Sequence, residues 1–178
     1  MTTPETKHGM TISNLAELLA YALAIELDAH ERYMMLADQM EQHNNSELCG
    51  LFLKLASHEE HHAQEIRDRA GDIELPHLKL SELKWPGTDS PEAAELDEAH
   101  YMMTSWHALQ MALKAEQRAF EFFEGIVASV EDEELKHWAE EFRDEEAGHV
   151  EMVEQLLMRY PKPSGSWSED PDPPNLQG

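Results

Sequence analysis

The sequence predicts an all-α protein: a four-helix bundle made of two helical hairpins joined by a long crossover. Three observations support this fold class. Glycine (8) and proline (9) are few and gather at a few places, which favours long helices over many short strands. Apolar residues recur at helical spacing along four segments. The connections between these segments are short, long and short, as in a bundle with one crossover.

In the first half of the chain, capping residues set the limits of two predicted helices. Asn14, or Ser13 beside it, is a suitable N-cap for a first helix that runs to a turn at 43–46. The second helix is predicted from about Ser46 to Ala70. Gly71 suits the position just after its end, because glycine tolerates the backbone conformation found there.

The second half repeats this hairpin after a long connection. Residues 71–89 carry two prolines and two glycines and are predicted to form the crossover. Ser90 as N-cap and Pro91 at the first helical position begin a third helix, which runs to about 129, with a break near 97 as an alternative. The fourth helix is predicted from about 133 to 160 and ends at the proline that follows.

The ends of the chain are predicted to lie outside the bundle, which spans residues 13–160. Residues 1–12 are expected to form a flexible arm. Residues 161–178 are rich in proline, serine, glycine and aspartate and are expected to form a disordered tail.

Composition and charge limit the classes of partner. The 178 residues carry a formal net charge of −24, which argues against binding to nucleic acid or to an anionic membrane surface, because both attract basic patches. No apolar run approaches the roughly 18 residues of a membrane-spanning helix, and the N-terminus lacks a signal-peptide core. The single cysteine, Cys49, excludes an internal disulfide. These features predict a cytoplasmic protein.

An acid interrupts each of four apolar stripes, and the stripes occur in two matching pairs. Glu26 in the first helix and Glu116 in the third stand in stripes with spacings of 3, 4, 3 and 4 residues. Glu59 and Glu146 stand in stripes with spacings of 3, 4, 4, 3 and 4. The stripes are Leu19, Ala22, Glu26, Ala29 and Tyr33; Leu109, Ala112, Glu116, Ala119 and Phe123; Leu48, Leu51, Leu55, Glu59, His62 and Ile66; and Leu135, Trp138, Phe142, Glu146, His149 and Val153. The chain is therefore two copies of one hairpin.

Four acids at one level of an apolar core predict a metal site. Burying an unpaired carboxylate costs several kcal/mol, and four of them would repel strongly unless cations lay between them. Two divalent ions would supply that charge. Two E-x-x-H pairs on the stripes, Glu59 with His62 and Glu146 with His149, add an imidazole to each half. Four carboxylates and two imidazoles suit iron or manganese, and zinc also fits.

Each residue of this set has a predicted role. Glu59 and Glu146 are the predicted bridges between the two metals, the other two acids are terminal ligands, and each imidazole serves one metal. Tyr33 lies two turns from Glu26 on the same stripe. It is predicted to donate a hydrogen bond to a ligand carboxylate or to relay an electron, with a plain core tyrosine as the alternative. The predicted metal ligands are Glu26, Glu59, His62, Glu116, Glu146 and His149.

Other E-x-x-H matches are predicted to lie away from the site. Glu134 and His137 are helical, but His137 lies about 180° around the helix from Glu146 and should face solvent. In the segment HEEHH, residues 58–62, Glu60 is expected at the surface. His58 and His61 are also expected there, with a supporting role beside the metal ligands as the alternative.

The six predicted ligands resemble those of the ferritin-like di-iron superfamily, over roughly residues 13–160. The spacing from Glu26 to Tyr33 resembles the rubrerythrin branch, here without its four-cysteine rubredoxin module. The resemblance implies a bundle with two iron ions per chain that reacts with peroxide or O2. Rubrerythrins usually carry a further Glu where this chain has Ala119. The symmetric ligand set also resembles a bacterioferritin ferroxidase centre, but Glu60 stands where a haem-binding Met would be, so no haem is expected.

Three functions remain open at this stage. The first is a di-iron ferroxidase or peroxidase, with Fe(II), peroxide or O2 as its partners and an external electron donor. The second is a di-iron mono-oxygenase with an organic substrate, for which aromatic side chains would line a pocket, although core packing also explains them. The third is an iron store or a scaffold or cargo protein. A homodimer or a higher homo-oligomer is expected in each case. The aromatic residues are Phe120, Phe123, Trp138 and Phe142.

Overall fold

The four predicted helices are present, and they pack as two hairpins. The computed structural model describes residues 12–78 and 103–164. Within each hairpin the two helices pack closely on each other, and the hairpins meet mainly through contacts of α1 with α3 and α4. The predicted four-helix bundle is confirmed. The helices are α1 (Leu15–Gln42), α2 (Ser46–Ala70), α3 (Ser105–Ser129) and α4 (Glu133–Leu157).

Side-chain caps explain where the first two helices begin and end. The side chain of Asn14 accepts a hydrogen bond from the backbone N–H of Glu17 at 2.9 Å, which satisfies one free donor of α1. Asn45 accepts from the N–H of Leu48 at 3.1 Å and caps α2 in the same way. At the other end of α2, Gly71 has a φ of 54°, a conformation that glycine adopts without a steric penalty.

A described helix begins at Ser105, inside the span predicted for the third helix. Thr104 has an extended backbone, with ψ at 167°, and its hydroxyl accepts from the N–H of His107. The ring Nδ1 of His107 accepts in turn from the N–H of Thr104 at 3.3 Å, which completes a capping box. An extended residue cannot continue a helix, so an unbroken helix from Ser90 through Thr104 is wrong. The predicted start at Ser90 and most of the predicted crossover lie outside the described residues.

The apolar core is divided into two clusters, and the four acids lie between them. In α1, Glu26 falls between Leu19 of the first cluster and Leu36 of the second. In the other helices the acid likewise lies between residues of the two clusters, and the order along the chain is reversed in α2 and α3. Representative buried members are Leu19, Ile66, Phe123 and Phe142 in the first cluster, and Leu36, Leu55, Leu109 and Val153 in the second.

The described ends of the chain touch the bundle. Ile12, the last residue of the predicted arm, is buried in the first core cluster. After α4, which ends at Leu157 rather than at 160, the ammonium of Lys162 lies 5.4 Å from the ring centroid of Trp106. Residues 1–11 and most of the predicted tail lie outside the described part. No described helix combines the length and the apolar character needed to cross a membrane.

Candidate metal centre

The four stripe acids are buried at one level, one on each helix. Glu26, Glu59, Glu116 and Glu146 are each 3% exposed or less. His149 is also buried, and the side chain of His62 is 22% exposed. The six side chains predicted as ligands are therefore brought together between the two core clusters. We call this group the carboxylate belt. The belt is deeply buried on the His149 side and more open on the His62 side.

His149 faces three carboxylates at nearly equal distances. Its Nδ1 lies 3.5 Å from an oxygen of Glu116, 3.5 Å from an oxygen of Glu146 and 3.7 Å from an oxygen of Glu59. These distances exceed the usual 2.7–3.2 Å or so of a hydrogen bond. They approach the spacing of two ligand atoms that share one ion, roughly 3 to 3.5 Å when each lies about 2.1 Å from the metal. The geometry suits ligands around an ion.

Glu59 connects the two halves of the belt. One of its oxygens lies 3.7 Å from Nδ1 of His149 and the other lies 3.9 Å from Nδ1 of His62. Nδ1 of His62 also lies 3.7 Å from an oxygen of Glu26. The two imidazole rings are nearly parallel, with 5.4 Å between their centroids. The carboxylate of Glu59 is thus shared between the imidazoles, whereas Glu146 lies on the His149 side.

Five buried atoms of the belt have no hydrogen-bond partner. They are one oxygen of Glu26, both oxygens of Glu59, and Nδ1 of His62 and of His149. Buried polar groups are normally satisfied, and leaving one unsatisfied costs about 1–3 kcal/mol. All five atoms are of types that bind metals, and they point into the same region. Metal ions of the iron, manganese or zinc type would satisfy them together, so the residues present fit such a group.

Tyr33 contacts the belt through Glu116. Its hydroxyl donates a hydrogen bond to a carboxylate oxygen of Glu116 at 2.5 Å, and the tyrosine side chain is fully buried. Burial and the neighbouring carboxylate raise the pKa of Tyr33 well above its ordinary value, so the phenol keeps its proton. Phe123, which occupies the equivalent place in the second repeat, has no hydroxyl to offer.

Burial and close contacts shift the pKa values of the belt in a way that retains protons. Burial raises the pKa of Glu59 to about 10 and that of Glu146 to about 8. Burial alone would lower the pKa of His149, but the carboxylates of Glu116 and Glu146 raise it to about 11. Burial likewise acts to raise the pKa of Glu116, yet the close approach of the His149 imidazole and the hydrogen bond from Tyr33 hold it below its ordinary value. Without metal, the belt is partly neutralised by protons.

Glu145 also approaches the site, although the sequence analysis does not single it out. One ligand atom each of Glu26, His62 and Glu145 lie within 4.8 Å of one another. Burial raises the pKa of Glu145 above its ordinary value. Glu145 escapes a stripe-based search because it lies 100° around the helix from Glu146. The sequence does place an acid directly beside a predicted ligand. That pattern is weak evidence for a further ligand, because acids are common throughout this chain.

A cleft between α1 and α3 reaches the belt at Glu116. It encloses about 40 Å³. Three alanines on its walls leave the space open, and the ion pair of Asp28 with Arg32 lies along it. A cavity needs about 10–15 Å³ of such volume to hold one water molecule, so this cleft has room for a very small molecule. The lining residues are Ile25, Asp28, Ala29, Arg32, Ala115, Glu116, Arg118 and Ala119.

The aromatic side chains considered for an organic-substrate pocket pack on one another instead. The ring centroids of Phe123 and Phe142 are 5.3 Å apart, and those of Trp138 and Phe142 are 6.1 Å apart. Phe123 and Phe142 belong to the first core cluster, and Trp138 packs against it. These three rings are therefore core side chains. Phe120 is half-buried on α3.

The residues expected away from the site are at the surface. His58, Glu60 and His61 are exposed on α2, and Glu134 and His137 are exposed on α4. The E-x-x-H pairs on the stripes and the one on the solvent face thus separate as helical geometry predicts.

The four-helix bundle and its buried belt of carboxylates and imidazoles identify this chain as a ferritin-like protein with candidate metal sites. A family model described as Rubrerythrin matches residues 17–157, and the chain belongs to the rubrerythrin family. The crystal structure of an uncharacterised conserved protein from Magnetospirillum magnetotacticum MS-1 is similar. It has 37% sequence identity and a TM-score of 0.74, and the match covers 86% of this chain and 100% of that one. A search of curated proteins finds no significant match.

Proposed function

We propose that this protein is a non-haem di-iron oxidoreductase that reacts with peroxide or O2, as a ferroxidase or a peroxidase. The observation that carries the proposal is the carboxylate belt: four buried acids and two imidazoles whose free atoms face one another. Such a group is costly in an apolar core unless it binds cations. Membership of the rubrerythrin family agrees with iron as the bound metal.

The proposed ligands divide into two positions with shared acids. Glu26 and His62 serve the first position, and Glu116 and His149 serve the second. Glu59 bridges the two, a role supported by the approach of its two oxygens to different imidazoles. Glu146, the counterpart of Glu59 in the second repeat, is the proposed second bridge.

The chain's own residues hold and prepare this centre. Two Fe(II) ions bound there would each give up one electron, and two electrons with two protons reduce one peroxide to two water molecules. Tyr33 orients the carboxylate of Glu116 through its hydrogen bond and is thus a positioning residue. Glu59, Glu146 and His149 would release their protons when metal binds, since metal ligands must be deprotonated.

The size of the α1–α3 cleft favours a small oxidant over an organic substrate. Its volume of about 40 Å³ is enough for peroxide or O2. Pockets that take organic ligands are usually several hundred Å³ and mostly apolar. This comparison supports a ferroxidase or peroxidase over a mono-oxygenase. An iron store or a scaffold protein is the remaining alternative and predicts a different metal stoichiometry. An external electron donor, a homo-oligomer and a cytoplasmic location belong to the same proposal.

An anaerobic titration tests the proposal. The apo-protein is titrated with Fe(II), the sites are counted, and peroxide and O2 are added separately while the near-ultraviolet absorption is followed. Two irons per chain and rapid oxidation are expected. Faster reaction with peroxide would indicate a scavenger, and faster reaction with O2 a ferroxidase. Many more than two irons would indicate a store, and product from a hydrocarbon or quinone a mono-oxygenase.

A matched pair of variants shows whether the belt is responsible. Glu146→Gln removes a belt acid, whereas Glu134→Gln changes an exposed acid of another E-x-x-H pair on the same helix. We expect the first variant to lose oxidation and the second to keep it. Full activity in Glu146→Gln would exclude the proposed centre.

A further inference from the structure

Glu145 stands beside the first metal position and has no counterpart at the second. It lies directly before Glu146, and its side chain turns toward α1 and α2 rather than fully into solvent. In the first repeat, the place equivalent to Glu145 is taken by His58, which is exposed. The six belt residues therefore form two matching sets of three, and Glu145 is an additional acid found in only one half.

The two residues that Glu145 approaches each have an unsatisfied buried atom. One oxygen of Glu26 is buried without a hydrogen-bond partner, and Glu26 is only 2% exposed. Nδ1 of His62, also without a partner, lies 3.7 Å from that same oxygen. Ligand atoms of all three residues lie within 4.8 Å of one another. Two carboxylates and an imidazole at this spacing form a ligand set for one divalent ion.

Asp144, the acid just before Glu145 on α4, differs from it in exposure. The side chain of Asp144 is 71% exposed, and it forms an ion pair with Arg143 at 2.8 Å. Glu145 is half-buried, so the half-burial is a property of its position and not of the acidic segment as a whole. Asp144 is thus a close control for the loss of one carboxylate from this part of the helix.

We propose that Glu145 is a seventh metal ligand, which serves only the position formed by Glu26 and His62 and makes the two metal positions unequal. The inference rests on the proposed metal centre. In this arrangement the first position is the more open one, because His62 and Glu145 are only partly buried. The second position is enclosed by Glu116, Glu146 and His149, which are all buried. Metal ions are expected to bind in two distinguishable steps.

Titration with Co(II) tests this inference without relying on activity. Co(II) remains divalent in air, and its visible absorption reports the number and type of its ligands. The wild-type protein is expected to bind two ions per chain with different affinities. In Glu145→Gln, one step should weaken by at least about tenfold and its visible spectrum should change, while the other step stays the same. Asp144→Asn should leave both steps and both spectra unchanged.

The possible outcomes separate this inference from the proposed function. Two unchanged steps in Glu145→Gln would show that Glu145 is not a ligand, while the centre itself stands. Equal weakening of both steps would contradict the assignment to one position. Absence of binding by the wild-type protein would overturn both proposals. Circular dichroism and thermal melting of each variant verify its fold, and Glu145→Ala, which cannot accept a hydrogen bond, should repeat the loss at the same step.

Discussion

At the scale of single residues, the two repeats are not equivalent, and Tyr33 shows why this matters. Tyr33 and Phe123 hold matching positions in the two repeats, two helical turns after Glu26 and Glu116 respectively. The hydroxyl of Tyr33 crosses to the other repeat and donates to Glu116. A carboxylate oxygen buried at this depth needs a donor or a metal, and the tyrosine supplies the donor for one of the two terminal acids.

Replacing Tyr33 with Phe is expected to destabilise the apo-protein by about 1–3 kcal/mol, because the buried oxygen of Glu116 loses its donor. Metal stoichiometry should remain two per chain, since no ligand is removed. Urea denaturation of the apo-protein measures the effect. Tyr21→Phe is the control, because Tyr21 lies on the same helix with its ring against Phe122 and is only partly buried. Equal stability losses in the two variants would contradict the role assigned to the hydroxyl.

At the scale of helices, the small residues of α1 and α3 leave a cleft open beside Glu116. Ala29 and Ala119 hold equivalent places in the repeat, one turn after Glu26 and Glu116, and both line the cleft. Ala115 widens it on the α3 side. Larger side chains at these places would bring apolar walls together in front of Glu116.

Filling the cleft should slow the reaction with peroxide without changing the metal content. In Ala119→Leu, the added carbons occupy space next to Glu116, and overpacking is expected to cost about 1–3 kcal/mol of stability. The rate of oxidation of the Fe(II)-loaded protein by peroxide, measured by stopped flow, should fall. The matched control is Ala128→Leu, which makes the same change at an exposed place on the same helix. Unchanged oxidation rates in Ala119→Leu would show that the oxidant enters elsewhere.

Helical periodicity predicts most of this arrangement from the sequence, and its failures have physical causes. The spacing of Glu26, Glu59, Glu116 and Glu146 within apolar stripes is enough to bring them together in a bundle. The start of α3 is missed because Thr104 and His107 cap it through a local hydrogen-bond pair that resembles no strong sequence signal. Glu145 is missed for a different reason: its approach to Glu26 and His62 depends on how the two hairpins pack.

At the scale of the whole molecule, the belt separates two apolar clusters and couples the stability of the fold to the protons that its acids and His149 bind. Without metal, Glu59 and Glu146 keep their protons far above the ordinary glutamate pKa of 4.5, and His149 keeps its proton above the ordinary 6.5. The unfolded chain releases these protons at lower pH. Each proton held only by the folded state lowers stability by about 1.4 kcal/mol for every pH unit of increase.

The apo-protein should therefore become less stable as pH rises from about 6 to 9. The window follows from the folded-state pKa values of about 8 for Glu146, about 10 for Glu59 and about 11 for His149. Glu59→Gln removes one of these groups, so its free energy of unfolding should fall less steeply over the same range. Metal affinity should change in the opposite direction, because binding displaces the protons and becomes easier as pH rises. Urea denaturation of both apo-proteins at several pH values, with Co(II) titrations alongside, measures the two trends. An apo-protein whose stability increased over this range would show that the belt does not retain protons. The geometry of the belt would then be the only support for the metal centre.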